Sequence, residues 1–168
     1  MTKCIFLDRD GVLNQEMGDY VFKKEDFKIV DGVPEALQKL KDAGYLLIVI
    51  TNQSGIAKGL YTRKDVLNCH EFLQKECGNL IDDIYFCPHH EDFNTASLLK
   101  KPNSLMIEKA MAKYNIDPTK SWMIGDQPRD IEAGKKAGLK TIFISENKKV
   151  TIAEANTTSL INAVSFVN

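Results

Sequence analysis

The sequence has few features that would set it apart from an ordinary protein of a reducing, aqueous compartment. Its four cysteines, Cys4, Cys69, Cys77 and Cys87, are scattered and form no C-x-x-C pair. That argues against a disulfide scaffold and for reduced, mostly structural thiols. No charge of one sign dominates, because 22 Lys and Arg stand against 23 Asp and Glu for a formal net charge of −1. The concentrated basic face that binding to a phosphate backbone requires is missing, so no nucleic-acid partner is expected. Long apolar runs are also missing. The longest, YLLIVI at 45–50, is far below a membrane span, and the N-terminal MTKCIFLDRD turns charged before a signal-peptide apolar region could form. A cytoplasmic protein with no membrane partner is expected. There is no repeat, low-complexity tract or linker, and 168 residues suit one α/β domain spanning 1–168.

What is present is alternation. Short apolar, β-rich runs near 4–8, 45–50, 83–87, 121–125 and 140–144 alternate with helical patterns. This predicts a doubly wound α/β fold, a mainly parallel sheet with helices on both faces. The first helix is VPEALQKLKDAG, with Val33, Leu37 and Leu40 on one stripe and Gly44 as its stop signal. A second is predicted from an N-cap at Thr62 to Cys77, and a third from Pro102 to about Tyr114. Pro128 suits the first turn of a fourth that ends near Gly138. TIAE at 151–154 has capping-box spacing and predicts that a last helix starts there.

Three of the strands run out into residues that make poor core: Asp8 and Asp10, then Thr51 and Asn52, then Gly125 and Asp126. Parallel strands of a doubly wound sheet share one carboxyl edge, where ligands bind, so these polar groups converge. In FLDRDGVLN (6–14), Asp8 and Asp10 crowd two like charges beside an arginine. Two carboxylates in one pocket raise each other's pKa unless a cation intervenes, and Asp126 would add a third. Oxygen donors of this kind suit a hard divalent ion such as Mg²⁺. Taken alone, the pair also fits a turn or cap at a strand end. In VITNQSGIAKG (49–59), a hydroxyl and successive backbone amides in a tight loop can cradle a phosphoryl group, although a polar connecting loop reads the same way. In LLKKPNS (98–104), Lys101 could neutralise phosphate oxygens, but a lone lysine pair on a loop is usually solvated. In MIGDQPRDIEAG (123–134), Asp130 falls in the first turn of the next helix, where a carboxylate also gains from the helix dipole.

Together and in this order, the four stretches resemble the haloacid dehalogenase superfamily of phosphohydrolases, over nearly the whole chain. The resemblance implies that Asp8 is the nucleophile, Asp10 the general acid and base, and Thr51 with Lys101 the phosphate-positioning pair. It implies magnesium held by Asp8, by Asp10 through its backbone carbonyl, by Asp126 and with support from Asp130. The presence of Asp10 favours the phosphatase or phosphomutase branch over ion pumps and dehalogenases. The intervals from Gly11 to Thr51 and from Thr51 to Lys101 are too short for a cap domain. Specificity would therefore rest on the loops 14–30 and 88–100 or on a partner.

A narrower resemblance rests on FLDRDGVLN, YV at 20–21, DGVPEAL, TNQSGIAKG, YFCPHH and KKP. It points to the capless phosphatases of D-glycero-D-manno-heptose 1,7-bisphosphate and the related histidinol-phosphate phosphatases. By this match Asn14, Tyr20, Asn52, Gln53, Ser54 and Lys100 line the substrate pocket, and the partner is a small phosphorylated metabolite; the open site and modest apolar content make a monomer the expected state. The chain departs from the group in three places. Ser97 and Leu99 stand where a structural zinc site has cysteines, so no zinc is expected and Phe93, Leu98 or Leu99 should anchor the loop by packing. Lys100 stands in place of an arginine, and Gln127 in place of a common lysine. Both exchanges weaken recognition of a second phosphate, which keeps histidinol phosphate and other sugar phosphates as alternatives.

Overall fold

Every strand predicted from the apolar runs forms, and all pair in parallel. The computed structural model describes residues 1–167. Its strands are β1 (Cys4–Leu7), β2 (Leu46–Asn52), β3 (Asp83–Cys87), β4 (Trp122–Gly125), β5 (Lys140–Ile144) and β6 (Ala155–Thr157). They make one sheet in the order β3-β2-β1-β4-β5-β6. The order reverses at β1, between β2 and β4, and that is where a doubly wound sheet opens its ligand crevice.

The helices are α1 (Val33–Asp42), α2 (Arg63–Glu76), α3 (Leu105–Tyr114), α4 (Pro128–Lys136) and α5 (Leu160–Ala163). Alternate residues of β1 feed opposite faces. Ile5 and Leu7 join α1, α2 and α5 through Leu37, Leu40, Leu73 and Leu160. Cys4 and Phe6 join α3 and α4 through Met106, Ile107, Ala110 and Ala133. Both faces being buried explains why the strand reads as a continuous apolar run rather than as alternating polar and apolar residues. All four cysteines are free and buried.

Thr62 caps α2 as expected, its hydroxyl accepting from the Asp65 N–H while the Asp65 carboxylate accepts from the Thr62 N–H. The third helix starts later than Pro102, at Leu105 after Ser104. The expected helix at 151–154 does not form. Glu154 is committed to tertiary contacts instead, accepting from the Thr141 N–H and hydroxyl and pairing with Lys135. The chain runs directly into β6, which pairs with β5, and the short α5 is capped by Ser159 two residues farther on. A capping-box spacing was overruled there by an acceptor needed elsewhere. No helix of the described residues is long and apolar enough to cross a membrane.

Candidate active site

Asp8 leaves β1 at the carboxyl edge of the sheet and is 4% exposed. Lys101, carried on the loop before α3, sends its ammonium under β2. There it donates to Asp8 Oδ1 at 2.8 Å and to the Ile50 carbonyl at 2.7 Å. The same ammonium lies 2.7 Å from Asp130 Oδ1, as an ion pair rather than an aligned hydrogen bond. Asp130 is held in the first turn of α4, where its Oδ2 accepts from the Gln127 N–H at 3.0 Å. One carboxylate oxygen each from Asp8, Asp126 and Asp130 lie within 4.8 Å of one another.

Close backbone approach makes this possible. Gly11 sits at φ +84°, and a Cβ there would fall 2.1 Å from Asp126 Oδ2; a Cβ on Gly125 would fall 2.2 Å from that of Asp130. Neither position tolerates a side chain without displacing an acid.

Burial first, and then the neighbouring Asp130, push the Asp8 carboxyl up to about 8, against the opposing pull of Lys101. The same two causes push Asp126 up to about 6. Lys101 loses by burial but is carried above its usual value by Asp130 and Asp8. One ammonium thus faces three acids, and Asp126 Oδ1 is buried with no partner. The donor set fits a hard divalent cation such as magnesium. Asp8 and Asp126 would hold it, with Asp130 and the Asp10 carbonyl in support.

Among the described residues, the Asp10 carboxylate is not part of that cluster. Arg9, 1% exposed, grips it through Nε at 3.2 Å and Nη2 at 2.8 Å. Asn14 donates to Asp10 Oδ1 at 3.0 Å and is itself fully buried, so it holds the acid rather than facing the cavity expected of it. Gln53 donates to Asp10 Oδ2 at 3.1 Å and to the Thr51 hydroxyl at 2.9 Å, and accepts from the Tyr61 hydroxyl at 2.9 Å. One amide therefore fixes the orientation of both Asp10 and Thr51, and its own orientation is set by Tyr61.

Above Asp10 opens a cavity of about 330 Å³ lined by Tyr20, Asn52, Gln53 and Arg129 among others. Asn52 clamps the Lys101 backbone, donating to its carbonyl at 3.1 Å and accepting from its N–H at 3.0 Å. Ser54 and Lys100 line an adjoining cavity of about 270 Å³. There Lys100 is paired with Glu91 at 2.5 Å. One of the anchors expected of the 88–100 loop is in place. Phe93 and Leu98 are 58% and 68% exposed, and of the three anchors only Leu99 packs on the core. Asn94 does the rest, bonding His89 and the His90 N–H.

Arg9, Lys58, Tyr61 and Arg129 were not singled out by the motifs. Arg9 carried a signal in standing between the two acids, and Arg129 in being basic inside the D-x-x-x-D spacing. Tyr61 had no local signal.

An acid cluster that calls for a cation, set at the switch point of a parallel sheet, suits a metal-assisted α/β hydrolase. The family is narrower. The model of the haloacid dehalogenase-like hydrolases matches residues 7–138, and the chain belongs to that family. A D-glycero-beta-D-manno-heptose-1,7-bisphosphate 7-phosphatase of Haemophilus ducreyi is 37% identical, over 99% of this chain and 98% of its own. A D-glycero-alpha-D-manno-heptose-1,7-bisphosphate 7-phosphatase of Photorhabdus laumondii is 42% identical, over 84% of this chain and 81% of its own. The solved D,D-heptose 1,7-bisphosphate phosphatase of B. bronchiseptica superposes with a TM-score of 0.88 at 24% identity, covering 99% of this chain and 98% of its own. That likeness establishes the fold.

Proposed function

We propose that the chain removes the C7 phosphate of D-glycero-D-manno-heptose 1,7-bisphosphate through an aspartyl phosphate on Asp8. The reading is carried by Asp8 itself, a strand-end carboxylate buried beside Lys101 and two further acids, in a chain whose relatives are named for this reaction. Asp8 attacks phosphorus in line, and the bond to the C7 oxygen breaks as the bond to Asp8 forms. Asp10 gives its proton to the departing oxygen and then takes one from water. That water oxygen attacks phosphorus, freeing Asp8 and inorganic phosphate. Thr51 and Lys101 position the phosphoryl group. Magnesium, when bound, supplies positive charge that lets a carboxylate approach a phosphate dianion.

The enzyme acts in this reading as a cytoplasmic monomer on a small phosphorylated metabolite, and the 88–100 loop holds its shape without zinc. Near-stoichiometric zinc in protein purified without chelator would overturn the latter claim. One observation favours a second reading. Lys100 is tied to Glu91, which favours a monophosphate such as histidinol phosphate as the substrate.

Phosphate release from both anomers of the bisphosphate, histidinol phosphate and common sugar monophosphates, with magnesium and with Asp8→Asn as the blank, tests both. Preference for one bisphosphate anomer supports the first reading. Preference for a monophosphate replaces it with the second. Turnover by Asp8→Asn would remove the nucleophile from its role.

A further inference from the structure

Two cavities, one of them lined by Asp10, adjoin at Tyr20, Asn52 and Arg129, and their linings differ in charge. The one directly above Asp10 also carries the carboxylates Glu16 and Asp19. The adjoining one is lined by Lys58, Lys100 and Arg129, with Tyr20, Asn52 and His90, and has no carboxylate in its wall. Tyr20, Asn52 and Arg129 belong to both, and of these three only Arg129 is charged.

The cations of the second cavity are not equally free. Lys100 is neutralised by Glu91. Gln127, two residues before Arg129, turns its amide to Asp126 Oδ2 at 3.1 Å and so is spent on the acid cluster. Lys58 pairs with no carboxylate among the described residues; its ammonium lies 5.4 Å from the centre of the Tyr20 ring and 5.5 Å from that of Phe93. Such ring contacts orient an ammonium without cancelling its charge. Arg129 is exposed and likewise has no carboxylate partner among the described residues. Two unspent cations therefore line one cavity that adjoins the Asp10 cavity, and one of them is a guanidinium that can grip phosphate in a bidentate manner.

We propose that Arg129, assisted by Lys58, is the specificity-determining residue that holds a second phosphate group of the substrate while the first is transferred at Asp8. The inference rests on the bisphosphate reading given above and adds to it the residues that make the choice. A substrate with one phosphate leaves this cavity without its anion. One with two fills it while the other phosphate reacts at Asp8, and its middle lies against Tyr20 and Asn52, which line both cavities.

The test compares the magnesium-loaded full chain with Arg129→Gln, Arg129→Lys and Lys58→Gln. Each is assayed on heptose 1,7-bisphosphate and on heptose 7-phosphate, with kcat and KM resolved. In Arg129→Gln the ratio of kcat/KM for bisphosphate over monophosphate should fall roughly tenfold, mostly through KM for the bisphosphate, as expected for losing a charged hydrogen bond. Arg129→Lys should recover part of that ratio, and Lys58→Gln should lower it by less. If the native chain prefers the bisphosphate and Arg129→Gln leaves the ratio unchanged, or lowers both activities in proportion, Arg129 has no such role while the substrate reading stands. If the native chain shows no preference for the bisphosphate, the substrate reading fails and this inference fails with it.

Discussion

The Lys101 ammonium lies 2.8 Å from Asp8 Oδ1 in a setting where the two side chains are 1% and 6% exposed. The pair joins the loop before α3 to the end of β1, and Asp130 shares the same ammonium from α4. Removing one member of a buried ion pair costs about 3–5 kcal/mol, because the other charge stays behind uncompensated. Above about pH 8, where Asp8 is ionised, Lys101→Met should thus lower the unfolding free energy of the metal-free protein by about that amount, read by urea denaturation in chelator. Added magnesium should return part of the loss, since it supplies charge to the same acids. A loss below about 1 kcal/mol would mean that the pair behaves like an exposed one.

Proton uptake by the acid cluster sets a pH dependence. Burial pushes the Asp8 carboxyl of the folded chain up to about 8 from an ordinary 3.8, and pushes Asp126 up to about 6. An acid whose folded pKa is raised contributes stability fully below its unfolded value, and that contribution is lost as pH rises through the folded value. The metal-free protein should lose stability as pH climbs from about 4 to about 8. Magnesium requires the ionised acids, so the rise in Tm it produces should grow across the same window. Thermal melts with chelator and with magnesium at several pH values check both slopes. A magnesium effect that shrinks towards alkaline pH would take Asp8 and Asp126 out of the metal site.

Glu91 restrains Lys100, and both side chains are partly exposed at 54% and 22%. Pairs of this kind are worth less than about 1 kcal/mol. Glu91→Gln should leave stability almost unchanged. On the bisphosphate its KM should fall by about two- to fivefold, because a freed ammonium then faces the same cavity as Arg129. Steady-state kinetics of that single variant decide whether Lys100 is held in reserve or is simply part of the loop.

Much of this arrangement was legible in the sequence, and for a physical reason. Strands buried on both faces read as short apolar runs, and their polar carboxyl ends stand out against them, which is how Asp8, Thr51 and Asp126 were found. Caps such as Thr62 are local and announce themselves. What stayed hidden depends on which way side chains turn once the fold is in place. The strand at Ala155–Thr157 is three residues long and exists because it pairs with β5 while Glu154 bonds Thr141. Asn14 looked like a pocket residue, yet its amide is turned inward to Asp10. No spacing rule reveals that.

Tyr61 stands just outside the phosphate-loop stretch 49–59 and gives the most direct test of the network. Its hydroxyl donates to Gln53 Oε1 at 2.9 Å, and the Gln53 amide in turn holds Asp10 and Thr51. Its ring also stacks on Phe22 and meets Tyr20 edge-on, so a phenyl ring would keep the packing. Tyr61→Phe therefore removes one hydrogen bond and little else. A hydrogen bond of this kind contributes about 1 kcal/mol, equivalent to roughly fivefold in rate if the loss falls on the orientation of Asp10. We expect kcat to drop by about that factor, with KM nearly constant and the pH–rate profile altered on the limb that reports the general acid. A change confined to KM would place Tyr61 in substrate binding, and no change at all would show that Gln53 keeps its orientation without Tyr61.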